Sequence, residues 1–328
     1  MNGKHQESAF VRAGARMDKR AMQKSADLPT VANQPGVGSA DAGLIFLVLF
    51  AWSTSWIALH WQLGPVAPEI SVLWRFLIAG LFMAGWCLLR GEPLRFSRRE
   101  HVVFAVLGVV LFSLNFVLFY HAGTRLVSGL LSVVFALVAP GNVLMQALFL
   151  RRPVPGRVGL GAVVGVFGLC LLFFPDIRAG GVFDTQSLAG LLLACCGTLS
   201  FCTGNFLSAR LQARGVPIAS ASAWGMLYGA GFLALYSALS GLPFTIEATP
   251  LYLGSLLWSA LVSSVLAFGA YLSLLGRIGP ARAGYLTVLI PVFALAISAL
   301  LEGYAWTLWS FLGLAAVGAG NVLVLRRG

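Results

Sequence analysis

The sequence predicts an all-α polytopic membrane protein with ten transmembrane helices arranged as two inverted five-helix repeats. Hydrophobic residues make up 59% of the 328 positions, charged residues make up only 10%, and the mean hydropathy is +0.87. A soluble protein draws about a quarter of its residues from the charged types. The apolar residues fall into ten long segments, and landmarks recur at intervals of 150 or 151 residues. These three observations predict the fold class.

Each of the ten apolar segments is long enough to cross a bilayer, which takes about 20 residues with some tilt. They cover residues 43–61, 70–90, 102–121, 126–150, 158–175, 188–209, 218–240, 251–275, 282–301 and 306–325. Several connections between them are very short, such as 122–125 and 303–305. Short loops of this kind make the flanking helices antiparallel hairpins.

An internal repeat organises the ten segments into two sets of five. Three pairs of landmarks indicate it: Trp74 and Trp224, Tyr120 and Tyr271, and Pro140 and Pro291. Because five is odd, the second set enters the membrane from the opposite side, as in many secondary transporters. We therefore expect a first repeat over residues 42–178 and a second over residues 186–328.

The basic residues predict the orientation in the membrane. If the N-terminus is inside, 19 of the 22 lysines and arginines lie on the inner side, Arg125 and Arg178 lie outside, and Arg75 lies within a span. This asymmetry predicts a multi-pass protein of the cell (inner) membrane with both termini in the cytoplasm. Residues 1–41 are polar and lack the apolar core of a signal peptide, so we expect a disordered cytoplasmic tail.

The same composition argues against several classes of function. The basic residues lie at the ends of spans and form no stripe that would bind nucleic acid. The cysteines lack metal-ligand spacing and there is no ATP-binding G-x-x-x-x-G-K-[ST] loop, so we expect no cofactor. Four scattered histidines and the lack of a G-x-S-x-G motif argue against an enzyme. An intramembrane enzyme acting on lipids is the least favoured alternative.

Arg75 is the one cation inside the apolar run 70–89. An arginine at the centre of a membrane helix costs roughly 2.5–3.5 kcal/mol on insertion scales, so it must face protein, water or the interface. It lies about two turns after Pro68, where we expect the second helix to begin. Arg75 is therefore either a snorkelling anchor or part of a polar path through the membrane.

Pro140 and Pro291 lie near the middle of the fourth and ninth spans. Each lacks an N–H group and clashes with the carbonyl four residues back, so each should kink its helix. Kinks at matching places in inverted halves point to a central binding site with gating helices. The alternative is that membrane helices simply tolerate proline. Asn142, beside Pro140, adds a polar side chain there.

The first and sixth spans offer matching polar faces. In the first span Trp52, Ser53 and Trp56 share a face at three- and four-residue spacing, which suits a cavity for a small amphipathic solute. In the sixth span the corresponding polar residues include Thr203 and Asn205. The alternative for such side chains is tight packing or hydrogen bonding between helices.

Other polar and aromatic residues complete the candidate cavity. Asn115, midway through the third span, needs partners if it is buried and serves either helix packing or substrate contact. Trp224 and Tyr228 lie one turn apart in the seventh span. Three tyrosines are candidate gates or interfacial residues: Tyr120, Tyr271 and Tyr285.

Several short motifs, read in order, resemble those of the drug/metabolite transporter superfamily, and specifically its EamA-type ten-helix transporters. The motifs are Trp52–Trp56, Arg75–Ala79, Tyr120, Val127–Ser132 before Pro140, Tyr271, Ala281–Tyr285, Pro291, and Leu301-Glu302-Gly303 followed by Gly313, Gly318 and Gly320. The sequence departs from the family after the fourth span, where Arg151-Arg152-Pro153 replaces the usual acidic residue.

The resemblance implies a secondary transporter of the cytoplasmic membrane that exports a small metabolite, with an amino-acid-like solute favoured. The family also allows a subunit that flips lipids or lipid-linked sugars. The expected partners are the small-molecule substrate and membrane lipids, and a homodimer remains open. Glu69 and Glu302 lie only at the ends of spans, so proton coupling has little support and facilitated efflux is the simpler expectation.

Overall fold

The structure is a computed structural model that describes residues 39–151, 153–174, 185–271, 273–274 and 286–325, apart from the side chains of residues 39, 40, 146 and 287. The expected tail therefore lies almost wholly outside the described residues, as does the candidate gate Tyr285. The described residues are helical and contain no strand.

The helices follow the predicted apolar segments closely. They are α1 (Ser39–His60), α2 (Pro68–Arg90), α3 (Arg98–Gly123), α4a (Ser128–Phe135), α4b (Val138–Leu150), α5 (Gly156–Leu172), α6 (Thr185–Ala213), α7 (Ile218–Leu239), α8 (Pro250–Tyr271), α9 (Leu286–Leu301) and α10 (Leu308–Leu325). Within the described residues, eight spans are long and apolar enough to cross a membrane, α4a and α4b counting as one, while α5 and α9 are apolar but shorter. The chain is a multi-pass membrane protein, and every span within its described part is helical.

Local sequence signals account for where several helices begin and end. Pro68 occupies the first turn of α2, as expected, and Gly91 ends that helix with a φ of 68° that favours glycine. The α3 helix begins with a capping box between Ser97 and Glu100. Thr249 caps α8 by accepting a hydrogen bond from a backbone N–H of its first turn.

The two ends of the bundle differ in charge. One end carries Glu69, at the start of α2, and Glu302, directly after α9, and we call it the glutamate end. The other carries the arginines between Arg90 and Arg99, where α2 passes into α3, and we call it the arginine end.

The α3 and α8 helices both contain a π-helical segment, at Val110–Leu114 and Trp258–Leu266 respectively. In each segment a serine hydroxyl donates to the carbonyl five residues earlier, at 3.1 Å for Ser113 and 2.8 Å for Ser264. A wider turn of this kind displaces the helix backbone locally and is frequent at functional sites.

The two prolines have different consequences. The α4a and α4b helices are separated at Ala136 and Leu137, just before Pro140. The missing proline N–H and the ring clash account for this break. Pro291, in contrast, lies inside the helix α9, which runs from Leu286 to Leu301 without interruption, and a kink there stays a prediction.

Glycines bring the helices α5 and α10 into backbone contact. A β-carbon added to Gly161 would lie 2.6 Å from the Gly320 carbonyl oxygen, and one added to Gly320 would lie 2.5 Å from the Gly161 oxygen. Gly168 and Gly313 repeat this reciprocal arrangement at 2.7 and 2.6 Å. We call this contact the glycine seam.

A second close contact joins α3 and α7 towards the arginine end. A β-carbon on Gly108 would lie 2.6 Å from the Gly225 carbonyl oxygen and 2.7 Å from the Gly229 nitrogen. Because both neighbours are backbone atoms, only glycine fits at Gly108.

Two tryptophan side chains link α2 and α7 to distant loops. The Trp74 indole donates to the Thr245 carbonyl oxygen at 3.1 Å, and the Trp224 indole donates to the Leu94 carbonyl oxygen at 3.1 Å. The first bond lies at the glutamate end and the second at the arginine end.

Candidate functional site

The polar face of α1 packs against α8 and α9. The Trp52 indole donates to the Ser263 carbonyl oxygen at 3.1 Å, and its ring lies 5.1 Å from that of Tyr271. The buried Ser53 hydroxyl donates to the Ile290 carbonyl oxygen at 3.4 Å. Three residues singled out by sequence are therefore engaged between helices, and Ser53 reaches α9 next to its proline.

Trp56 belongs to an aromatic cluster that the sequence analysis missed. Its ring lies 5.2 Å from Phe119 and 5.4 Å from Phe135, and Phe135 lies 4.8 Å from Phe201. These four rings come from α1, α3, α4a and α6. The one sequence signal that could have drawn attention to Phe135 is its position shortly before Pro140.

Arg75 is buried inside the bundle, with only 4% of its surface exposed. Its Nε and Nη2 donate to the Ser264 hydroxyl at 3.3 and 3.2 Å, and its guanidinium lies 4.5 Å from the Phe116 ring centre. None of the ion pairs between described residues includes Arg75. Such burial is unlike that of a snorkelling anchor, whose charged head stays in water.

A chain of polar side chains extends from Arg75 towards the glutamate end. Ser264, which accepts from Arg75, donates to the Ser259 carbonyl oxygen at 2.8 Å. The Ser259 hydroxyl accepts from Gln62 at 3.2 Å, and the Gln62 oxygen accepts from the buried Tyr120 hydroxyl at 3.0 Å. We call these five side chains the Arg75 network. Sequence reasoning found Arg75 and Tyr120 and missed the other three.

Asn115 is buried and only half satisfied. Its Nδ2 donates to the Leu111 carbonyl oxygen at 3.1 Å, whereas its Oδ1 is enclosed without a partner among the described residues. A buried polar atom without a hydrogen bond is costly and needs an explanation. The free acceptor fits a ligand that donates a hydrogen bond.

The predicted residues of α4b and α6 form a separate polar contact. The Asn205 amide donates to the Asn142 oxygen at 3.2 Å. Thr203, on the same helix as Asn205, donates to its own helix at Leu199 and lies 3.7 Å from the Met145 sulfur. Asn142 belongs to the first two turns of α4b, as does Pro140.

Trp224 and Tyr228 lie near the arginine end and contact His101 of α3. The Trp224 ring is centred 4.7 Å from the imidazole, and the Tyr228 hydroxyl lies 3.0 Å from the His101 Nδ1. The sequence predicts that both residues line a central cavity, and in the structure their contacts join α7 to α3.

The arrangement of the Arg75 network is suited to binding an anion. A guanidinium has five N–H donors in a planar fork, and the Arg75 Nε and Nη2 both donate to one hydroxyl oxygen, that of Ser264, while the Tyr120 side chain lies beside the same guanidinium. Among the described residues, no group of three His, Cys, Asp or Glu side chains is placed to hold a metal ion. The Arg75 network can therefore recognise a ligand through charge and hydrogen bonds.

Several curated bacterial proteins are similar to this chain. An uncharacterized transporter of Buchnera aphidicola subsp. Schizaphis graminum is 24% identical over 151 residues, so the match spans 46% of this chain and half the length of that relative. The uncharacterized inner membrane transporter YedA of Escherichia coli K12 is 25% identical over 286 residues, covering 86% of this chain and 89% of YedA.

A third relative, the probable amino-acid metabolite efflux pump of Escherichia coli K12, is 24% identical and covers 87% of this chain and 96% of its own length. One solved crystal structure superposes with a TM-score of 0.60 at 19% identity, over 87% of this chain and 97% of that one. The profile of the EamA-like transporter family matches twice, at residues 42–174 and 188–326. The chain therefore belongs to the EamA-like transporter family.

Proposed function

We propose that the protein is a secondary transporter of the cell (inner) membrane that exports a small, amino-acid-like metabolite by alternating access. In this proposal ten spans form two inverted five-helix halves, residues 42–178 and 186–328, which rock about a shared central site. The tail 1–41 and the C-terminus lie in the cytoplasm with the arginine end, because cytoplasmic loops are rich in arginine and lysine.

The reciprocity of contacts between the halves is the observation that supports this mechanism. In the glycine seam, Gly161 meets Gly320 while Gly168 meets Gly313, and the corresponding glycines are 152 positions apart. Contacts in which each surface exchanges roles with its equivalent are the mark of a two-fold axis. With antiparallel halves, such an axis lies in the membrane plane, as in inverted-repeat transporters.

Two further pairs of equivalent features support the same axis. The indole bonds of Trp74 and Trp224 join equivalent helices to equivalent loops at opposite ends of the bundle. The serines of the two π-helical segments, Ser113 and Ser264, are 151 positions apart and make the same bond within their own helices.

The proposed substrate class follows from the Arg75 network and from the aromatic cluster around Trp56. A buried guanidinium with unused donors suits a carboxylate, and neighbouring rings suit an apolar side chain or an ammonium group. The relative named as an amino-acid metabolite efflux pump is consistent with this class and with export.

Transport by purified protein in liposomes tests the proposal. Uptake of radiolabelled amino acids should saturate with concentration and should show counterflow, because a carrier must return its site across the membrane. A linear, non-saturable flux would contradict alternating access. Comparing metabolites inside and outside cells that overproduce the chain would identify the substrate to load.

Flipping of a lipid or a lipid-linked sugar is the second candidate, and a groove between α1, α8 and α9 favours it. This groove has a volume of about 470 Å³ and is lined by side chains such as Phe50, Leu251, Trp258 and Leu301, several of which are exposed on the outside of the bundle. A lipid tail would fit an apolar lateral opening of this kind. Translocation of a fluorescent lipid in the same liposomes, without amino-acid counterflow, would favour this candidate.

A further inference from the structure

Glu302 is a buried carboxylate that bridges the two halves of the chain at the glutamate end. Only 3% of its side chain is exposed. Both carboxylate oxygens lie 3.1 Å from the Ser128 backbone nitrogen, and Oε2 also accepts a hydrogen bond from the Ser128 hydroxyl. Ser128 is the first residue of α4a, whereas Glu302 follows α9.

The carboxylate takes the place of an N-cap for α4a. The residue at the N-cap position is Val127, which makes no side-chain cap. The first N–H groups of a helix have no partner within it, and the helix dipole favours a negative charge there. Glu302 supplies both the acceptor and the charge from another helix, and hydrogen bonds to a charged acceptor are about twice as strong as neutral ones.

The chain around Glu302 holds its side chain in this position. The backbone nitrogens of Glu302 and Tyr304 both donate to the Ser298 carbonyl oxygen, at 2.8 and 3.3 Å. Gly303 between them adopts a φ of 72°, a conformation that favours glycine. The end of α9 is therefore a defined turn that presents the carboxylate to α4a.

Next to this contact, the helices α4a and α9 approach each other closely at Gly129. A β-carbon added to Gly129 would lie 2.8 Å from the Leu295 Cα and 2.8 Å from the Ser298 Cβ. Towards the arginine end, in contrast, α4b leaves Leu144 and Leu148 exposed, at 49% and 65%. The α4a–α9 contact therefore joins the two halves of the chain closely at the glutamate end.

A second Glu–His pair at the same end provides a comparison within the molecule. Glu69 lies 2.9 Å from the His121 Nε2, and both residues belong to the first half. His60 lies 3.1 Å from the Glu302 Oε1, so this second carboxylate also has a histidine neighbour, but it joins the halves. At the position equivalent to Glu302 in the first half, 151 residues earlier, the chain has Arg151.

We propose that Glu302 is the latch of the gate at the glutamate end, and that it must release Ser128 whenever this end opens. This inference rests on the proposed alternating access for its role in transport, although the latch itself is a property of the folded chain. Because Arg151 takes the equivalent position, the first half supplies an arginine where the second half supplies the carboxylate, and in this proposal the two gates are chemically different.

Amide hydrogen exchange of the full-length protein in lipid nanodiscs tests the latch. The substitution Glu302→Gln removes the charge and keeps the size, and we expect amides in the first turn of α4a to exchange about tenfold faster, the difference between a charged and a neutral hydrogen bond. The matched control Glu69→Gln should leave α4a unchanged. Ser128→Ala, which removes only the hydroxyl contact, should give a smaller acceleration in the same amides.

Equal acceleration in both glutamate variants, or acceleration spread to the glycine seam, would overturn the proposal. Because exchange is measured without substrate, a failure here is distinct from a failure to transport.

Discussion

Two equivalent crossings between the halves are built in opposite ways. Near the arginine end, Gly225 and Gly229 of α7 lie against Gly108 of α3, with backbone touching backbone. Near the glutamate end, α2 crosses α8, and the position equivalent to Gly225 is Arg75, 150 residues earlier. There the space between the helices holds a guanidinium, its hydroxyl acceptor and a polar network.

The difference teaches how a repeated architecture can acquire one specialised site. Serines at equivalent positions, Ser113 and Ser264, are used differently at the two crossings. Ser113 donates to the Gly229 carbonyl oxygen across a tight contact, at 2.9 Å, whereas Ser264 accepts from Arg75. The tight crossing fixes the helices, and the wide crossing places a buried charge beside the proposed substrate path.

The largest effect is expected at the tight crossing, for Gly108→Leu. The new side chain would meet backbone atoms of α7 that have no room to move, so the free energy of unfolding should fall by more than about 3 kcal/mol. We expect little monodisperse protein on size-exclusion chromatography. The matched control is Gly231→Leu on α7, where an added β-carbon meets nothing within 4 Å. Equal yields of the two variants would contradict this account of the crossing.

The wide crossing is tested by Arg75→Leu, which should abolish transport and leave membrane insertion intact. Removing one charged partner of a buried contact costs about 2–5 kcal/mol, so transport should fall at least about thirtyfold. Uptake into liposomes measures the loss, and the thermal unfolding midpoint checks the fold. Transport at the wild-type rate would mean that Arg75 serves only to fill the crossing.

The two equivalent serines should respond differently to removal of their hydroxyls. Ser264→Ala takes away the acceptor of two Arg75 bonds, so we expect weaker substrate binding, seen as a raised KM. Ser113→Ala removes a hydroxyl that bonds within α3 and to α7 and does not touch Arg75, so it should lower stability by about 1 kcal/mol without changing KM. A change in KM for both variants would show that the crossings are functionally alike.

The smallest effects are expected for Trp74→Phe and Trp224→Phe, which remove the two indole N–H donors. Each loses one neutral hydrogen bond, which contributes about 0.5–1.5 kcal/mol. Trp224 should show the larger shift in unfolding midpoint, because its bond is partly buried while that of Trp74 is exposed. Identical shifts in the two variants would contradict the expectation that the partly buried hydrogen bond contributes more to stability than the exposed one.

Much of the fold could be predicted from the sequence because the bilayer imposes a simple rule on helix length and polarity. The start of α2 at Pro68 and the break in α4 before Pro140 follow from the chemistry of proline. The continuity of α9 through Pro291 could not be predicted in the same way, because neighbouring helices can satisfy the groups that a proline leaves free.

The candidate site was predictable only in part. Arg75 stood out because a charge in an apolar run is costly, but its acceptor Ser264 lies 189 positions away and looked like any other serine. Phenylalanines such as Phe135 and Phe201 are common in membrane helices, so nothing in their spacing marked them as one cluster. Contacts between distant segments depend on how helices cross, which single-sequence periodicity does not encode.

The glycine seam has a consequence for how the gene can vary. Because α5 and α10 touch through four glycines and their carbonyl oxygens, a methyl group gained at any one of them would push against the backbone of the opposite helix. No smaller residue exists that could compensate on the other side. Both α5 and α10 must therefore keep glycine at these four positions for the contact between them to persist.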